Sequence, residues 1–402
     1  MTAEPESTPE PAPAPAAQPH AATGPTSDPA LSVDYAVDGY WLRGWHGPAT
    51  VRVSPHGIRP IADAATPTAV RLPGVLLPGF RDAHVHLGLT EPRALVAGGL
   101  AAVDDLGGHP DRLREWARDD AMPALQYAGA FVTAPGGYPA KRAWAASLAV
   151  AEVSTGEDAM AAVAQQLADG ATFIKVTLNS DDGPVLDNDI LGALVEHAHS
   201  RGAEVVAHVQ GAGQAQRAFA AGADRLAHAP WTERLSDVLI EEMAQPHSRF
   251  LSGRHAWIST LDIHGYGQRG RDFATASDNL RRFHAAGGTV RYGTDLGNGD
   301  LPPGLNEREL TALQDAGVRY DALLRALCLP GFGSAVSYLP TVPSADANLA
   351  AWLMTATVVT ARELLHPEFA ASAVRVAAEN HAGDEAISAA TTPIPTTWRT
   401  DL

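Results

Sequence analysis

Five short stretches of the sequence repeat one order of apolar and polar positions. In each, an Ala-rich segment ends at a glycine, a run of four to six largely apolar residues follows, and a polar or Gly-containing loop leads onward. A glycine of this kind commonly ends a helix, and a short apolar run between such signals is typical of a buried strand. The repeat therefore predicts βα units around a parallel sheet. The stretches are AGGLAAVDDLGG, ADGATFIKVTL, SRGAEVVAHVQG, AAGADRLAHAP and AAGGTVRYGTDLG.

The same pattern, followed along the chain, predicts eight strands. Eight βα units over roughly 250 residues or somewhat more is the size of a (β/α)8 TIM barrel. We therefore predict an α/β fold of this type. The predicted strands cover residues 80–88, 100–107, 124–133, 172–178, 204–210, 224–229, 256–263 and 289–296.

The segments on either side of the predicted strands have other patterns. Residues 1–30 are rich in Pro, Ala, Ser, Thr and Glu, and we expect a disordered leader. Residues 31–77 predict antiparallel strands of a small appended sheet, which 366–402 could complete. The barrel is then assigned to 78–365. Within it, 328–349 looks inserted, and we expect it to cover the barrel mouth or to form a contact surface.

Composition narrows the function classes. The chain has 402 residues, a formal net charge of −17 and a single cysteine, Cys328. The acidic balance disfavours nucleic acids and anionic membranes as partners, and one cysteine rules out a Cys-based zinc site. With no signal-like start and no apolar run of about 18 residues, we expect a cytoplasmic protein with a small-molecule substrate. The sequence leaves open whether the protein forms a homo-oligomer.

Titratable residues gather where the predicted strands end. His84 and His86 alternate with Ala83 and Val85, so the period of a strand puts the two histidines and Asp82 on one face. The C-terminal strand ends of a barrel converge on one mouth, and imidazoles with a carboxylate suit zinc or a similar divalent ion. The other such residues on later strands are Lys175, His208, His228 and Asp295.

Lys175 is unusual because it lies in the middle of an apolar strand, GATFIKVTL, where a buried ammonium would be costly. Only Lys141 and Lys175 are lysines, and all other cationic side chains are arginines. A neutral lysine amine can add CO2, and the resulting carbamate has two oxygens that can bridge two metals, which a guanidinium cannot do. Taken singly, Lys175 could also extend to solvent, and each histidine could be an ordinary core residue.

As a set, these stretches resemble the amidohydrolase superfamily. LPGFRDAHVHLG is similar to the first-strand motif of that superfamily, and GATFIKVTL is similar to the fourth strand of members with a carboxylated lysine. VVAHVQG, GADRLAHA and YGTDLG are similar to the fifth, sixth and eighth strands. Arg81 stands where the superfamily has an apolar residue, and we expect it to face outward.

The resemblance implies a binuclear metallohydrolase that cleaves an amide or related C–N bond of a peptide, an N-acyl amino acid or a cyclic amide. His84, His86 and Asp295 would bind one ion, and His208 and His228 the other. Carboxylated Lys175 would lie between two ions, for which we expect zinc. The resemblance further implies a metal-bridging hydroxide, with Asp295 as the catalytic general base and then acid.

The substrate and three alternative functions stay open at this point. Tyr138, His109 and His264 follow predicted strands and could contact substrate, although each could be a loop residue without a ligand. A mononuclear amidohydrolase of the imidazolone or deaminase type is an alternative, against which Lys175 counts. GYGQRG (265–270) matches a dinucleotide fingerprint, which keeps an NAD-type oxidoreductase open, and a non-catalytic barrel that only binds a ligand is a further alternative.

Overall fold

The computed structural model describes residues 32–344, 347–366, 368, 369, 371 and 372. The expected leader and most of the segment 366–402 lie outside these residues. Within them, no helix combines the length and the apolarity that a membrane crossing requires.

The strands of the described chain form two mixed sheets, from segments near its two ends, and two parallel sheets, from the segments between. The strands are β1 (Val33–Val37), β2 (Gly39–Trp41), β3 (Trp45–His46), β4 (Ala49–Ser54), β5 (Gly57–Ala62), β6 (Val70–Arg71), β7 (Val75–Pro78), β8 (Arg81–Val85), β9 (Ala102–Asp105), β10 (Ala124–Tyr127), β11 (Phe131–Thr133), β12 (Val150–Glu152), β13 (Phe173–Asn179), β14 (Glu204–Gln210), β15 (Arg225–Leu226), β16 (Ala256–Ile258), β17 (Thr289–Arg291), β18 (Ala335–Leu339) and β19 (Thr357–Thr360).

Helices alternate with the parallel strands from α2 onward. The helices are α1 (Pro110–Trp116), α2 (Gly156–Ala168), α3 (Asn188–Ser200), α4 (Gln214–Ala221), α5 (Asp237–Ala244), α6 (Arg271–Ala285), α7 (Glu307–Asp315), α8 (Tyr320–Leu327), α9 (Leu349–Leu353) and α10 (Ala361–Leu364).

The α2–β13 connection illustrates why the repeated pattern folds as it does. Thr155 and Asp158 form a capping box that starts α2. Gly170 then turns the chain into β13 with φ +94°, and a Cβ there would lie 2.4 Å from the Tyr127 hydroxyl oxygen. Glycine is therefore needed both for its backbone conformation and for the close approach.

The chain is mixed α/β, with a seven-stranded and a three-stranded parallel sheet. Their strand orders are β12-β11-β13-β14-β15-β16-β17 and β10-β9-β8. Each of the eight predicted segments contains a strand, and the third is divided into β10 and β11 around Gly129, whose φ is +74°. Backbone hydrogen bonds also join the sheets: the Thr172 N–H donates to Tyr127 O (2.9 Å), and the Asp295 N–H donates to His84 O (2.8 Å).

The remaining strands form two further sheets, and the second of them uses strands from both ends of the described chain. Residues 33–78 supply β1 to β7, and the orders are β5-β4-β1-β6 and β19-β18-β7-β2-β3. Within the second sheet β18 pairs antiparallel with both β7 and β19. The segment 328–349, expected to cover the mouth or to form a contact surface, thus supplies an interior strand. β18 and β19 belong to this sheet, and the segment 366–402, which could complete the small sheet, lies mostly outside the described residues.

Two expectations about β8 are wrong: that strand alternation puts Ala83 and Val85 on one face, and that Arg81 faces outward. The β8–β9 register shifts between Asp82 and Val85, and such a shift changes which face a side chain occupies. Ala83 therefore packs in a small buried cluster with Val206, whereas Val85 belongs to the large core. Arg81 does not face outward, because its side chain is only 20% exposed and lies 3.5 Å from the buried carboxylate of Asp104.

Candidate metal centre

Six buried titratable side chains meet at the C-terminal ends of the parallel strands. They come from five strands or the residues directly after them, and each is at most 7% exposed. β8 ends one residue before His86, and His228 and Asp295 follow β15 and β17 within a few residues. The six are His84, His86, Lys175, His208, His228 and Asp295, the residues that the sequence singled out.

Backbone carbonyls orient the first two imidazoles. Nδ1 of His84 lies 2.8 Å from Ala227 O, and Nδ1 of His86 lies 3.1 Å from Gly107 O. A carbonyl can only accept, so each Nδ1 carries the proton and each Nε2 presents a lone pair. Metal-binding histidines are commonly oriented in this way.

These lone pairs point at one another and at a carboxylate oxygen. Nε2 of His84 and Nε2 of His86 lie 3.3 Å apart, and they lie 3.0 and 3.2 Å from Oδ1 of Asp295. Three acceptors at this separation repel unless a cation lies between them. A tetrahedral ion with bonds of about 2.0–2.1 Å holds its ligand atoms about 3.3 Å apart, so the donor set fits a divalent metal.

The remaining two histidines extend the cluster. His228 joins His84 and Asp295 in a set whose ligand atoms all lie within 4.8 Å of one another. Its Nδ1 is 2.9 Å from the Thr260 hydroxyl, which leaves Nε2 for a ligand. Nε2 of His208 is buried and has no partner among the described residues. Burial lowers the pKa of His208 to about 3, so this imidazole is neutral and can bind a metal.

Lys175 is buried in the centre of the cluster and has no carboxylate as an ion-pair partner among the described residues. Burial lowers the pKa of its amine to about 7. A substantial fraction of the amine is therefore neutral near neutral pH, which is the form that reacts with CO2.

Hydrogen bonds of residues before and after Asp295 fix its position. Its φ is +57°, a conformation that Asp tolerates better than most residues. The preceding Thr294 donates from both N–H and Oγ1–H to the buried carboxylate of Asp82, and Asn298 Nδ2 donates to Asp295 Oδ2 (2.9 Å). Burial alone would raise the pKa of Asp295, whereas positive charge beside its carboxylate holds that pKa well below its ordinary value.

The cluster lies at the floor of a cavity of about 440 Å³, a size typical of small-ligand sites. Its other lining residues come mainly from loops after the strands and are largely aromatic or apolar. They are Leu89, Phe131, Tyr138, Trp144, Thr177, Gln210, Trp231, Ile263, His264, Gly297, Asn298 and Gly299.

Two of the three residues suggested as substrate contacts line this cavity. Tyr138 stacks on His208 with ring centres 5.0 Å apart, and His264 packs on Trp231 at 4.8 Å. His109 does not line it; this exposed residue precedes α1. Phe131, Trp144 and Trp231 were not identified from the sequence as cavity residues. Phe131 begins β11, and the two tryptophans lie in segments that follow strands.

The GYGQRG stretch has a local structural role. It connects the 3₁₀ turn Asp262–His264 to α6, and a Cβ on Gly265 would lie 1.9 Å from Gln268 O. The acidic residue that a dinucleotide site would require, Asp295, instead faces His84 and His86.

Comparisons with known proteins add to this picture. No family model matches the chain. An uncharacterised protein of Mycobacterium tuberculosis is 27% identical over 283 residues, which cover 63% of this chain and 73% of that protein. A Mycobacterium bovis protein, also uncharacterised, matches with the same values.

Solved structures match over more of the chain. A Bifidobacterium longum protein assigned as a prolidase has a TM-score of 0.66 at 20% identity and covers 86% of this chain and 99% of its own. Ochratoxinase of A. niger has a TM-score of 0.65 at 17% identity, with coverage of 82% and 94%. A Xaa-Pro dipeptidase with bound methionine has the same TM-score and identity, with coverage of 82% and 98%.

This chain shares the fold of these solved structures, and an amidohydrolase has a similar fold. The structural likeness agrees with the resemblance of the strand motifs.

Proposed function

We propose that the protein is a metal-dependent hydrolase that cleaves an amide or related C–N bond. One observation carries this proposal: the lone pairs of His84 and His86 face Oδ1 of Asp295 at 3.0 to 3.3 Å with no donor between them. We further infer that the two parallel sheets close into a (β/α)8 barrel, supported by the backbone hydrogen bonds that join them. The small sheet built on 31–77 would be an appended unit.

The donors suit two ions. His84, His86 and Asp295 would hold one, and His208 and His228 the other, with a carbamate on Lys175 between them. A ligand set of imidazole nitrogens and carboxylate oxygens favours zinc. When bound, such ions supply an activated water near neutral pH and polarise a carbonyl.

The side chains of the protein have separate tasks in this hydrolysis. Asp295 is a carboxylate with Oδ2 fixed by Asn298, and it would accept the proton of the attacking water and return it to the leaving nitrogen. Tyr138 keeps its hydroxyl proton, because burial raises its pKa well above the ordinary value. Its O–H would donate to the substrate carbonyl.

The test combines turnover with a direct probe of Lys175. Zinc-loaded protein is screened with amides, peptides and cyclic amides, and ¹³C NMR in ¹³C-bicarbonate looks for a carbamate carbon. Lys175→Ala should lose both turnover and the carbamate signal. Lys141→Ala, at the only other lysine, is the matched control and should keep both. A metal-free active enzyme, or full activity of Lys175→Ala, would refute the proposal.

A further inference from the structure

We propose that the cavity accepts a neutral amide or related carbonyl compound with an aromatic substituent, and rejects substrates with a free carboxylate. This inference rests on the proposed hydrolase function and narrows its substrate class. It would exclude ordinary dipeptides and N-acyl amino acids.

An aromatic wall adjoins the metal-binding imidazoles. The Tyr138 ring stacks on His208, tilted by 22°. Trp231 packs edge-on against both His208 and His228, at 5.7 and 5.3 Å between ring centres. Phe131 lies 5.6 Å from His86. A flat substituent next to the scissile bond would therefore contact ring faces and edges, which is how aromatic groups pack best.

The wall continues away from the metal-binding residues. Trp144 lies 6.0 Å from Tyr138 and 6.2 Å from Phe131, in edge-on contacts with both. Leu89 and Ile263 also line the cavity. Desolvation of an apolar substituent is favourable on such a surface, so the cavity offers binding free energy to a ring and little to an ion.

Apart from the metal centre, a substrate carboxylate would find no counterion among the described residues that line the cavity. Among the described lining residues the only Lys or Arg is Lys175, which the metal centre uses. Arg142, a cation beside the cavity, lies 5.9 Å above the Tyr138 ring, and its Nε donates to Asp182 (2.8 Å). A buried anion without a partner is costly, and the net charge of −17 opposes the approach of anions.

The unfilled polar groups of the cavity are neutral. Nε2 of His264 is buried without a partner among the described residues, and burial lowers its pKa to about 4. The Tyr138 hydroxyl likewise has no partner in the described part of the chain. Together they can bond the C=O and N–H of a neutral amide.

The first test uses matched substrates on the zinc-loaded protein. N-Acetylaniline is compared with N-acetyl-4-aminobenzoate, and N-acetylphenylalanine amide with N-acetylphenylalanine. The neutral member of each pair should have the higher kcat/KM by about 100-fold or more. Equal values, or a preference for the carboxylates, would overturn the inference while leaving the hydrolase function intact.

A charge change in the cavity sharpens the result. Ile263→Lys adds a cation to the lining, and Ile263→Met adds similar bulk without charge. The lysine variant should move the neutral-to-anionic kcat/KM ratio by about tenfold towards the carboxylates, and the methionine variant should leave it unchanged. Equal ratios in both variants would contradict the charge argument.

A binding measurement separates this inference from the proposed function. Quenching of tryptophan fluorescence by acetophenone and by 4-acetylbenzoate, which cannot be hydrolysed, reports occupancy of the cavity. Tighter binding of the neutral ketone supports the inference even if no amide is cleaved, in which case the hydrolase proposal fails alone. Tighter binding of the carboxylate overturns the inference whatever the turnover.

Discussion

The two ends of the parallel strands contain buried or partly buried titratable residues in different arrangements. We call the C-terminal set the mouth (His84, His86, Lys175, His208, His228 and Asp295) and the N-terminal set the base (Arg81, Asp104, Glu204, Arg225 and Arg291). Four strands, β8, β14, β15 and β17, contribute to both sets either directly or through the residues that follow them.

The base neutralises itself. Arg225 contacts both Glu204 and Asp104, the latter at 3.2 Å, and Arg81 lies 3.5 Å from Asp104. Burial lowers the pKa of the neighbouring Arg291 to about 10. Two guanidinium groups and two carboxylates thus form ion pairs that compensate their charges, and Arg291 lies beside them.

The mouth lacks such compensation among the described residues. Its imidazole lone pairs face a carboxylate oxygen, and its one amine has no carboxylate within ion-pair distance there. The comparison teaches that burial of titratable groups does not by itself mark a functional site. Charged groups that form ion pairs with one another stabilise the fold. Groups whose mutual repulsion only a cation would offset indicate a binding site for that cation.

The largest difference between the two sets should appear in catalysis. Asp295→Asn should lower kcat by about 10²–10⁴-fold, the usual contribution of general acid–base catalysis, and should weaken metal retention as well. Steady-state kinetics on the best substrate of the screen measures this. Asp104→Asn is the matched control at the base and should keep kcat within a few fold wherever the protein is folded. Similar losses in both variants would erase the distinction.

Stability should show the opposite order. Asp104→Ala leaves the buried Arg225 with Glu204 as its remaining partner, and breaking a buried pair costs about 3–5 kcal/mol. We expect the lower end of that range in urea unfolding, since Glu204 still pairs. Asp295→Ala should cost the apoprotein much less, because it relieves repulsion among acceptors. A more stable Asp104→Ala protein would show that the base does not act as described.

Metal removal should affect only the mouth. An ion that binds the native state alone stabilises it by about 2.7 kcal/mol at a hundredfold excess over its Kd. Chelation should therefore lower the free energy of unfolding of the wild type by roughly this amount. It should have little effect on the double variant that combines Asp295→Ala and Lys175→Ala. Equal sensitivity to the chelator in both proteins would place the metal elsewhere.

A smaller effect is expected at Asp82, which braces the backbone beside Asp295. The Thr294 hydroxyl and two backbone N–H groups donate to its carboxylate. Asp82→Asn can keep most of these bonds, so we expect a loss of about 1 kcal/mol of stability and a decrease in kcat of a few fold. Thr294→Val removes the hydroxyl alone and should have a similar or smaller effect. A complete loss of activity in Thr294→Val would show that Asp82 does more than position the loop.

The sequence predicted the parts of the molecule that follow from local periodicity. The helix–Gly–strand repeat located the eight strand segments, and the convergence of strand ends in a barrel predicted that Lys175 and His208 lie near one another. The ligand roles of the six mouth residues remain predictions. Their proximity is a property of strand ends, which residue spacing can anticipate.

Other features depend on contacts that periodicity cannot report. The register shift after Asp82 separates Ala83 from Val85, and nothing in RDAHVH signals it. Arg81 points to Asp104 because that partner comes from the next strand. Trp231 and Trp144 reach the cavity from segments that connect strands. β18 pairs with β7 although roughly 260 residues separate the two strands in the sequence. Each depends on the tertiary fold.

The most direct test of the central claim is the metal content of the protein. Wild type, Lys141→Ala and Lys175→Ala are loaded with zinc in bicarbonate buffer, desalted and measured by elemental analysis against protein concentration. The account predicts two ions per chain in the wild type and in Lys141→Ala, and fewer in Lys175→Ala. A wild-type protein that retains no metal, or a Lys175→Ala protein that retains as much as the wild type, would contradict it.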